Sequence, residues 1–187
     1  MNELENYIQA FFEIEKNEVS KMLEMFEPVT LNKGDYFLKS GQQSKQLAFI
    51  QSGIIREFLF IGEKEITKWI AVKGYFVVDL GSFIQGHPSK SNFQAITNCE
   101  IQVLEMQNYQ NLEALIPSWQ KLEKLLMVKC FGLLEDRIVH QLSYSAEERY
   151  QHFFKNNKAL FNQVPLQYLA SMLGMAPETL SRLRKTR

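Results

Sequence analysis

The sequence predicts an α+β protein in which a region of short antiparallel strands stands between two helical regions. Between residues 29 and 106, short runs rich in β-branched and aromatic side chains alternate with turns, and seven of the nine glycines of the 187-residue chain lie there. Before and after this region, apolar side chains recur every three or four residues, which is the helical period. Many short strands without long helices between them are typical of an antiparallel sandwich or barrel.

The first 26 residues are predicted to form one or two helices that end before Pro28. Apolar side chains recur there in two groups, which are Leu4, Ile8, Phe11 and Phe12 and then Val19, Met22, Leu23 and Phe26. The strands that follow are predicted, with glycine-containing turns between most of them, at 47–51, 54–61, 64–72, 75–80, 92–97 and 100–106.

A long helix is predicted to begin after Pro117, with Ser118 as its N-cap. It continues to about residue 142, which makes about 25 residues and roughly 37 Å. Its apolar stripe is longer than a small barrel can cover, so we expect a second copy of the chain to pack on it. Packing within its own chain is the alternative, which would leave much of the stripe exposed. The residues expected near this homodimer contact are Trp119, Leu122, Leu126 and Leu133.

After a further helix around 146–156, residues 164–185 are predicted to form two short helices joined by a tight turn. Helices that cross at about 90–120° need a small residue where they touch, a turn residue that tolerates positive φ and an apolar anchor on the second helix. Ala170, Gly174 and Leu180 supply these features in that order. Pro177 suits an early position of the second helix, where a missing N–H costs no hydrogen bond. This spacing is typical of a helix-turn-helix.

Polar side chains are expected on the outward face of that second helix. Such a face can enter the major groove of DNA, where arginine reads guanine and glutamate accepts from cytosine. An ordinary helical hairpin with a solvated face is the alternative. Charge favours DNA, because residues 158–187 carry five Lys or Arg against one Glu, although the whole chain has 21 charges of each sign. We expect Arg182 to read bases. We expect phosphates to be neutralised mainly by Arg184, Lys185 and Arg187.

The composition, with 45% hydrophobic and 22% charged residues, is that of a globular protein. No apolar stretch approaches the roughly 20 residues that cross a bilayer, so no membrane partner is expected. The N-terminus lacks the basic and apolar regions of a signal peptide, which favours a cytoplasmic location. Cys99 and Cys130 have no metal-ligand spacing around them and are expected to be buried, reduced thiols.

An enzymatic function is not expected. The three histidines, which are His87, His140 and His152, form no pair at metal-ligand spacing. A metal enzyme built on a β-barrel, of the cupin type, therefore lacks its ligands. No Ser/His/Asp or Cys/His arrangement indicates a nucleophilic enzyme, and no metal site is predicted.

Four motifs follow one another over nearly the whole chain. They are Leu-Asn-Lys-Gly-Asp at 31–35, Phe-Ile-Gln-Ser-Gly at 49–53, Gly-Tyr-Phe at 74–76 and the helix-turn-helix at 169–182, which ends in Glu-Thr-Leu-Ser-Arg. In this order they resemble the Crp/Fnr family of transcription regulators. The resemblance implies a cyclic-nucleotide-binding-like β-roll (a double-stranded β-helix) with N-terminal helices at 1–116, a dimerisation helix at 117–143 and a helix-turn-helix domain at 144–187.

The resemblance also implies the site residues and partners. Glu178 and Arg182 match positions that contact base edges in the family, whereas Pro177, often an arginine in relatives, cannot hydrogen-bond to a base through its side chain. Double-stranded DNA is the implied partner, and RNA polymerase is a candidate second partner. The candidate DNA-binding residues are Pro177, Glu178, Thr179, Ser181, Arg182, Arg184 and Lys185.

The effector site departs from the family pattern. In relatives that bind cyclic AMP, a Gly-Glu pair meets the ribose and an Arg-Ser pair meets the phosphate, and an ungapped alignment places these pairs on 78–79 and 89–90. Ser89 brings no charge, and Lys90 cannot reproduce a bidentate guanidinium. Cyclic AMP is therefore not the expected effector, and the effector stays unknown. The candidate ligand-contacting residues are Val78, Asp79, Leu80, Ser89, Lys90 and Ser91.

The function predicted from these observations is a homodimeric DNA-binding transcription regulator that senses an unknown effector through its β-roll. The alternative is a degenerate β-roll sensor, or a small-molecule-binding protein, that acts through protein contacts rather than through DNA.

Overall fold

The computed structural model describes residues 3–12 and 15–185, and it confirms the predicted α+β architecture. Its helices are α1 (Glu3–Phe12), α2 (Lys16–Leu23), α3 (Leu80–Gln85), α4 (Met106–Leu115), α5 (Trp119–Ser143), α6 (Ala146–Asn157), α7 (Leu160–Gln163), α8 (Leu166–Met172) and α9 (Pro177–Lys185). Its strands are β1 (Phe26–Leu31), β2 (Tyr36–Leu38), β3 (Gln46–Ser52), β4 (Ile54–Ile61), β5 (Lys64–Val72), β6 (Phe76–Val77), β7 (Asn92–Ala95) and β8 (Cys99–Glu105).

The strands form two four-stranded sheets that pack face to face. One sheet has the order β1-β8-β3-β6 and the other β2-β7-β4-β5, and each neighbouring pair is antiparallel. Alternate residues point between the sheets, as Ala48 and Ile50 of β3 and Ile101 and Val103 of β8 do. This apolar interior is the core of the predicted β-roll.

The sheet that contains β3 is buried on its other face as well. Phe49 and Leu104, which alternate with the inward-facing residues, pack against α1, α2, α4 and the start of α5. Phe26 begins β1, so the prediction that it ends the second helix is wrong. Pro28 lies inside β1, where it is tolerated because β1 pairs only with β8 among the described strands.

The segment 75–80 also differs from the prediction of a strand. Strand β6 is limited to Phe76–Val77, and α3 begins at Leu80. The cause is Asp79, whose carboxylate accepts a hydrogen bond from the backbone N–H of Ser82 at 3.1 Å and caps the helix. Helix α4 and strands β1 and β2 are further elements that the sequence pattern does not predict.

Helix α5 has the predicted length of 25 residues, but it carries apolar residues on two sides. Leu122 is 2% exposed and packs in the chain's own core with Trp119, so these two lie outside the exposed stripe. Leu126 is half-buried, and Leu133 is exposed. Since a helix turns 100° per residue, the face opposite Leu122 carries another set of residues. This exposed α5 face consists of Val128, Phe131, Ile138 and Leu142.

The two cysteines have different surroundings. Cys99 is buried between the sheets as expected, whereas Cys130 is exposed on α5, so the prediction that it is buried is wrong. Within residues 3–12 and 15–185, no helix combines the length and the apolar character needed to cross a bilayer.

Candidate nucleic-acid interface

Helices α8 and α9 form the predicted helix-turn-helix. Ala170 and Leu180, which the sequence places at the contact between the two helices, are each 0% exposed, as is Leu169 of α8. The backbone N–H of Met175 donates to the carbonyl oxygen of Ala170 at 3.0 Å and closes the turn. Pro177 is the first residue of α9, as expected for a residue without an N–H.

Gly174 permits the sharp turn between the two helices. Its φ is +66°, in the left-handed region that side chains with a Cβ rarely adopt. A Cβ at this position would also lie 2.7 Å from Oε1 of Gln141, which belongs to α5. The turn is therefore packed directly against the C-terminal half of the long helix.

Arg149 of α6 fixes the same turn from another side. Its guanidinium donates to the carbonyl oxygens of Leu173 at 2.9 Å, Gly174 at 3.3 Å and Tyr144 at 2.5 Å. These bonds satisfy carbonyls at the ends of α8 and α5, where a cation is also favoured by the helix dipole. Arg149 is not predicted from the sequence, because a single arginine 24 residues before Leu173 belongs to no local pattern.

The face of α9 turned away from α8 carries the residues predicted to contact DNA. Glu178 and Arg182 are both exposed and stand four residues apart, so they lie on the same side of the helix. Thr179 and Ser181 are half-buried. Arg187 lies outside the described residues. The other exposed members of the predicted set are Pro177, Arg184 and Lys185.

Helix α8 docks on β5, which is an edge strand of its sheet. The backbone N–H of Thr67 donates to Oγ of Ser171 at 2.9 Å. Helix α8 therefore supplies a hydrogen-bond acceptor to a backbone N–H at the edge of the sheet. A single apolar cluster joins Ile54 and Ile70 of the β-roll to Leu169 of α8. The helix-turn-helix and the β-roll therefore share one core.

Arg56 of β4 spans this shared core and is 1% exposed. Its guanidinium carbon lies 3.5 Å from the centre of the Tyr168 ring of α8, a close cation–π contact. Its Nε donates to Oγ1 of Thr67 at 2.9 Å, and its Nη2 pairs with Glu65 at 2.6 Å. The buried charge is therefore fully compensated, and the sheet is held against α8.

Arg137 makes a second polar link at the same junction. From α5, its guanidinium donates to the carbonyl oxygen of Lys68 in β5 and to that of Met172 in α8, the latter at 3.3 Å. Burial lowers the pKa of this guanidinium from its usual value. The orientation of α9 relative to the β-roll is thus set by contacts from α5, β4 and β5.

The residues predicted to contact an effector lie around the start of α3. Oδ2 of Asp79 accepts from Oγ of Ser89 at 2.6 Å, and the backbone N–H of Ser91 donates to the same Oγ at 3.0 Å. Ser89 and Ser91 are each 2% exposed, whereas Leu80 and Lys90 are exposed and Val78 is half-buried. The structure therefore brings Asp79, Ser89 and Ser91 together and satisfies them within the chain.

Two charged residues that the sequence analysis missed join this network. Oγ of Ser91 donates to Oε1 of Glu57 at 2.9 Å, and Glu57 forms an ion pair with Lys68. Nζ of Lys68 also donates to Oγ of Ser91 at 3.2 Å. These contacts depend on the register of β4, β5 and β7, which local sequence does not reveal.

Two histidines that are separate in sequence also meet in the structure. Where α5 leads into α6, the ring centres of His140 and His152 are 4.4 Å apart, and Tyr144 stacks on His140 at 4.5 Å. Among the described residues, no group of three or more His, Cys, Asp or Glu is arranged to hold a metal ion.

No protein-family model matches the chain, and no curated protein sequence matches it. Several solved structures share its fold. The regulator CLP of Xanthomonas campestris, described as responsive to c-di-GMP, is 18% identical with a TM-score of 0.70, over 92% of this chain and 91% of its own. The catabolite activator protein of Thermus thermophilus is 21% identical with a TM-score of 0.59, over 94% and 84%.

A third structure, from Eubacterium rectale, is assigned to the Crp/Fnr family of regulators. It is 16% identical with a TM-score of 0.68, over 97% of this chain and 87% of its own. At these identities the likeness concerns the fold, and it confirms the architecture that the four sequence motifs predict.

Proposed function

We propose that the protein is a DNA-binding transcription regulator of the Crp/Fnr type. The observation that supports this most strongly is α9, whose exposed face carries Arg182, Arg184 and Lys185 and whose inner face is anchored by the buried Leu180. Residues 1–116 act as the sensor in this proposal, residues 117–143 as the dimerisation helix and residues 144–187 as the DNA-binding domain. The role is regulatory, and no catalytic residues are assigned.

Helix α9 enters the major groove and reads bases through two side chains in this proposal. Glu178 accepts from a cytosine amino group, and Arg182 donates to guanine. Thr179, Ser181, Arg184 and Lys185 contact the backbone or neighbouring base edges. Pro177 contributes shape and helix initiation rather than a hydrogen bond.

The exposed α5 face supplies the homodimer contact. Its residues are more than half exposed in the single chain, and a two-fold contact along α5 would cover them on both copies. Two recognition helices related by this axis meet major grooves about one helical turn, roughly 34 Å, apart, so the operator is near-palindromic. RNA polymerase remains the candidate second partner.

The β-roll senses a small molecule other than cyclic AMP in this proposal. We expect cyclic AMP not to bind at physiological concentration, because Ser89 has no charge for the phosphate and is already bonded to Asp79. A phosphate at Ser89 and Ser91 would also meet the carboxylates of Asp79 and Glu57. Calorimetry with the full chain is expected to give no binding heat, and a micromolar dissociation constant would contradict this.

An electrophoretic shift with total genomic fragments tests the proposed function. The full chain is expected to retain a subset of fragments that share a near-palindromic sequence. The control is a double variant, Arg182→Glu with Lys185→Glu, which reverses two exposed charges of α9. It is expected to bind none of the fragments and to keep the melting temperature of the unchanged chain. If both proteins retain the same fragments, α9 is not the DNA-binding element.

A regulator that acts through protein contacts is the second candidate, and the closed polar network around Asp79 and Ser89 favours it in one respect. A site that is satisfied by its own side chains needs no effector to be stable. This candidate predicts that the genomic shift fails for the dimeric full chain.

A further inference from the structure

A second group of exposed cations lies outside the recognition helix, at the C-terminal end of α6. Lys155 and Lys158 are both exposed, and they line a shallow cleft of about 400 Å³. The other residues that line this cleft are Gln151, His152 and Phe154. The cleft therefore has two cationic side chains in its lining.

A pair of aromatic rings connects this cleft to the C-terminal end of α9. The guanidinium carbon of Arg184 lies 5.7 Å from the centre of the Phe161 ring, and that ring centre lies 5.1 Å from the centre of the Phe154 ring. Nζ of Lys158 lies 5.9 Å from the centre of the Phe154 ring. Phe161 is 5% exposed in the core of the domain, so the rings form a fixed support. Cations from α9 and from the end of α6 thus flank one ring pair.

These cations form no ion pair with the described part of the chain. Within residues 3–12 and 15–185, no carboxylate lies within ion-pair distance of Lys155, Lys158, Arg184 or Lys185. The acidic residues of α6, Glu147 and Glu148, are in its first turn, at the opposite end of the helix. Between residues 155 and 185 there are five Lys or Arg and one Glu. The surface formed by the two helix ends is therefore a continuous cationic strip.

We infer that Lys155 and Lys158 form a second DNA-contacting surface, which binds backbone phosphates beside the major groove that α9 enters. The inference rests on the proposed function and extends it to α6. Each strand of a duplex carries one phosphate about every 3.4 Å of helix axis, so neighbouring phosphates lie beside the one that α9 contacts. Lysine is a compact point charge without the planar fork that reads guanine, so these contacts add affinity for any sequence.

The test compares two double variants of the full chain. The α6 variant carries Lys155→Gln and Lys158→Gln, and the control variant carries Lys16→Gln and Lys21→Gln. All four lysines are exposed. Lys155 lies in the last turn of α6 and Lys158 is its C-cap, whereas the control pair lies on α2. The full chain is titrated at several salt concentrations on a selected operator and on random DNA. For the α6 variant, the slope of log affinity against log salt is expected to fall by about two for each bound protomer. Its affinity for both DNAs should fall by the same factor, while the control follows the unchanged chain.

Three results would overturn the inference, and they differ in what they say about the proposed function. If the unchanged chain binds DNA and the α6 variant keeps the full salt slope, the inference is wrong and the proposed function stands. If the α6 variant loses only its preference for the operator, these lysines read bases, and the inference that they bind backbone phosphates is wrong. If the unchanged chain binds no DNA, both proposals fail. An unchanged melting temperature shows that the variant is folded.

Discussion

Phe131→Asp combined with Ile138→Asp is expected to convert the proposed dimer into a monomer. These side chains are 63% and 58% exposed in the single chain, on the α5 face opposite Leu122. Burying a large apolar side chain contributes about 1.5–3 kcal/mol, and a two-fold contact contains four of them. The substitutions should therefore cost roughly 6 kcal/mol or more, which raises the dimer dissociation constant at least about 10⁴-fold.

The measurement is the solution mass by light scattering or sedimentation, over a range of concentrations. Ile84→Asp is the matched control, because it places the same charge on a similarly exposed apolar residue, 55% exposed, that belongs to α3 and not to α5. A dimer that persists in the double variant would show that this face of α5 is not the contact. Leu122→Asp is unsuitable for the purpose, since Leu122 is buried in its own chain and the variant would lose stability instead.

Arg182→Ala is expected to reduce discrimination between operator and random DNA, whereas Lys185→Ala should preserve it. A bidentate contact between arginine and guanine contributes about 1–3 kcal/mol of discrimination, and a two-fold dimer makes it twice. The ratio of the two affinities should therefore fall roughly 30-fold or more for the Arg182 variant. For the Lys185 variant, both affinities should fall together, and the salt slope should decrease by about one per protomer.

Both variants are titrated on a selected operator and on random fragments of the same length. Both residues are exposed and lie in the last turn of α9, so the comparison holds position and helix context nearly constant. If the two variants lose discrimination to the same extent, Arg182 is not the base reader.

The elements predicted best are those whose signals are local. The helix-turn-helix follows from the chemistry of one small residue, one glycine and one proline, and Ala170, Gly174 and Pro177 occupy the expected positions. Strands β4 and β5 have the predicted bounds because runs rich in β-branched and aromatic residues stand there between glycine-containing turns. Strand β1 is missed because only one of its residues is buried, so it carries no alternating pattern.

The parts that the sequence does not predict depend on contacts between distant residues. The two-sided apolar character of α5 hides which face meets the β-roll, and only the packing of Leu122 decides it. The network of Asp79, Ser89 and Glu57 joins three segments through side-chain hydrogen bonds. The alignment with relatives marks Asp79 and Ser89 as candidates but does not show that they bond to each other, and Glu57 belongs to no motif.

The shared core between α8 and β5 limits how modular this protein is. Separating the helix-turn-helix from the rest of the chain would expose Ile54 and Ile70 on one piece and Leu169 on the other, and would leave Arg56 without Tyr168. Neither piece would retain a complete core. Exchange of the C-terminal segment with that of another protein of this fold, by recombination or by design, would therefore have to include the matching surface of β4 and β5.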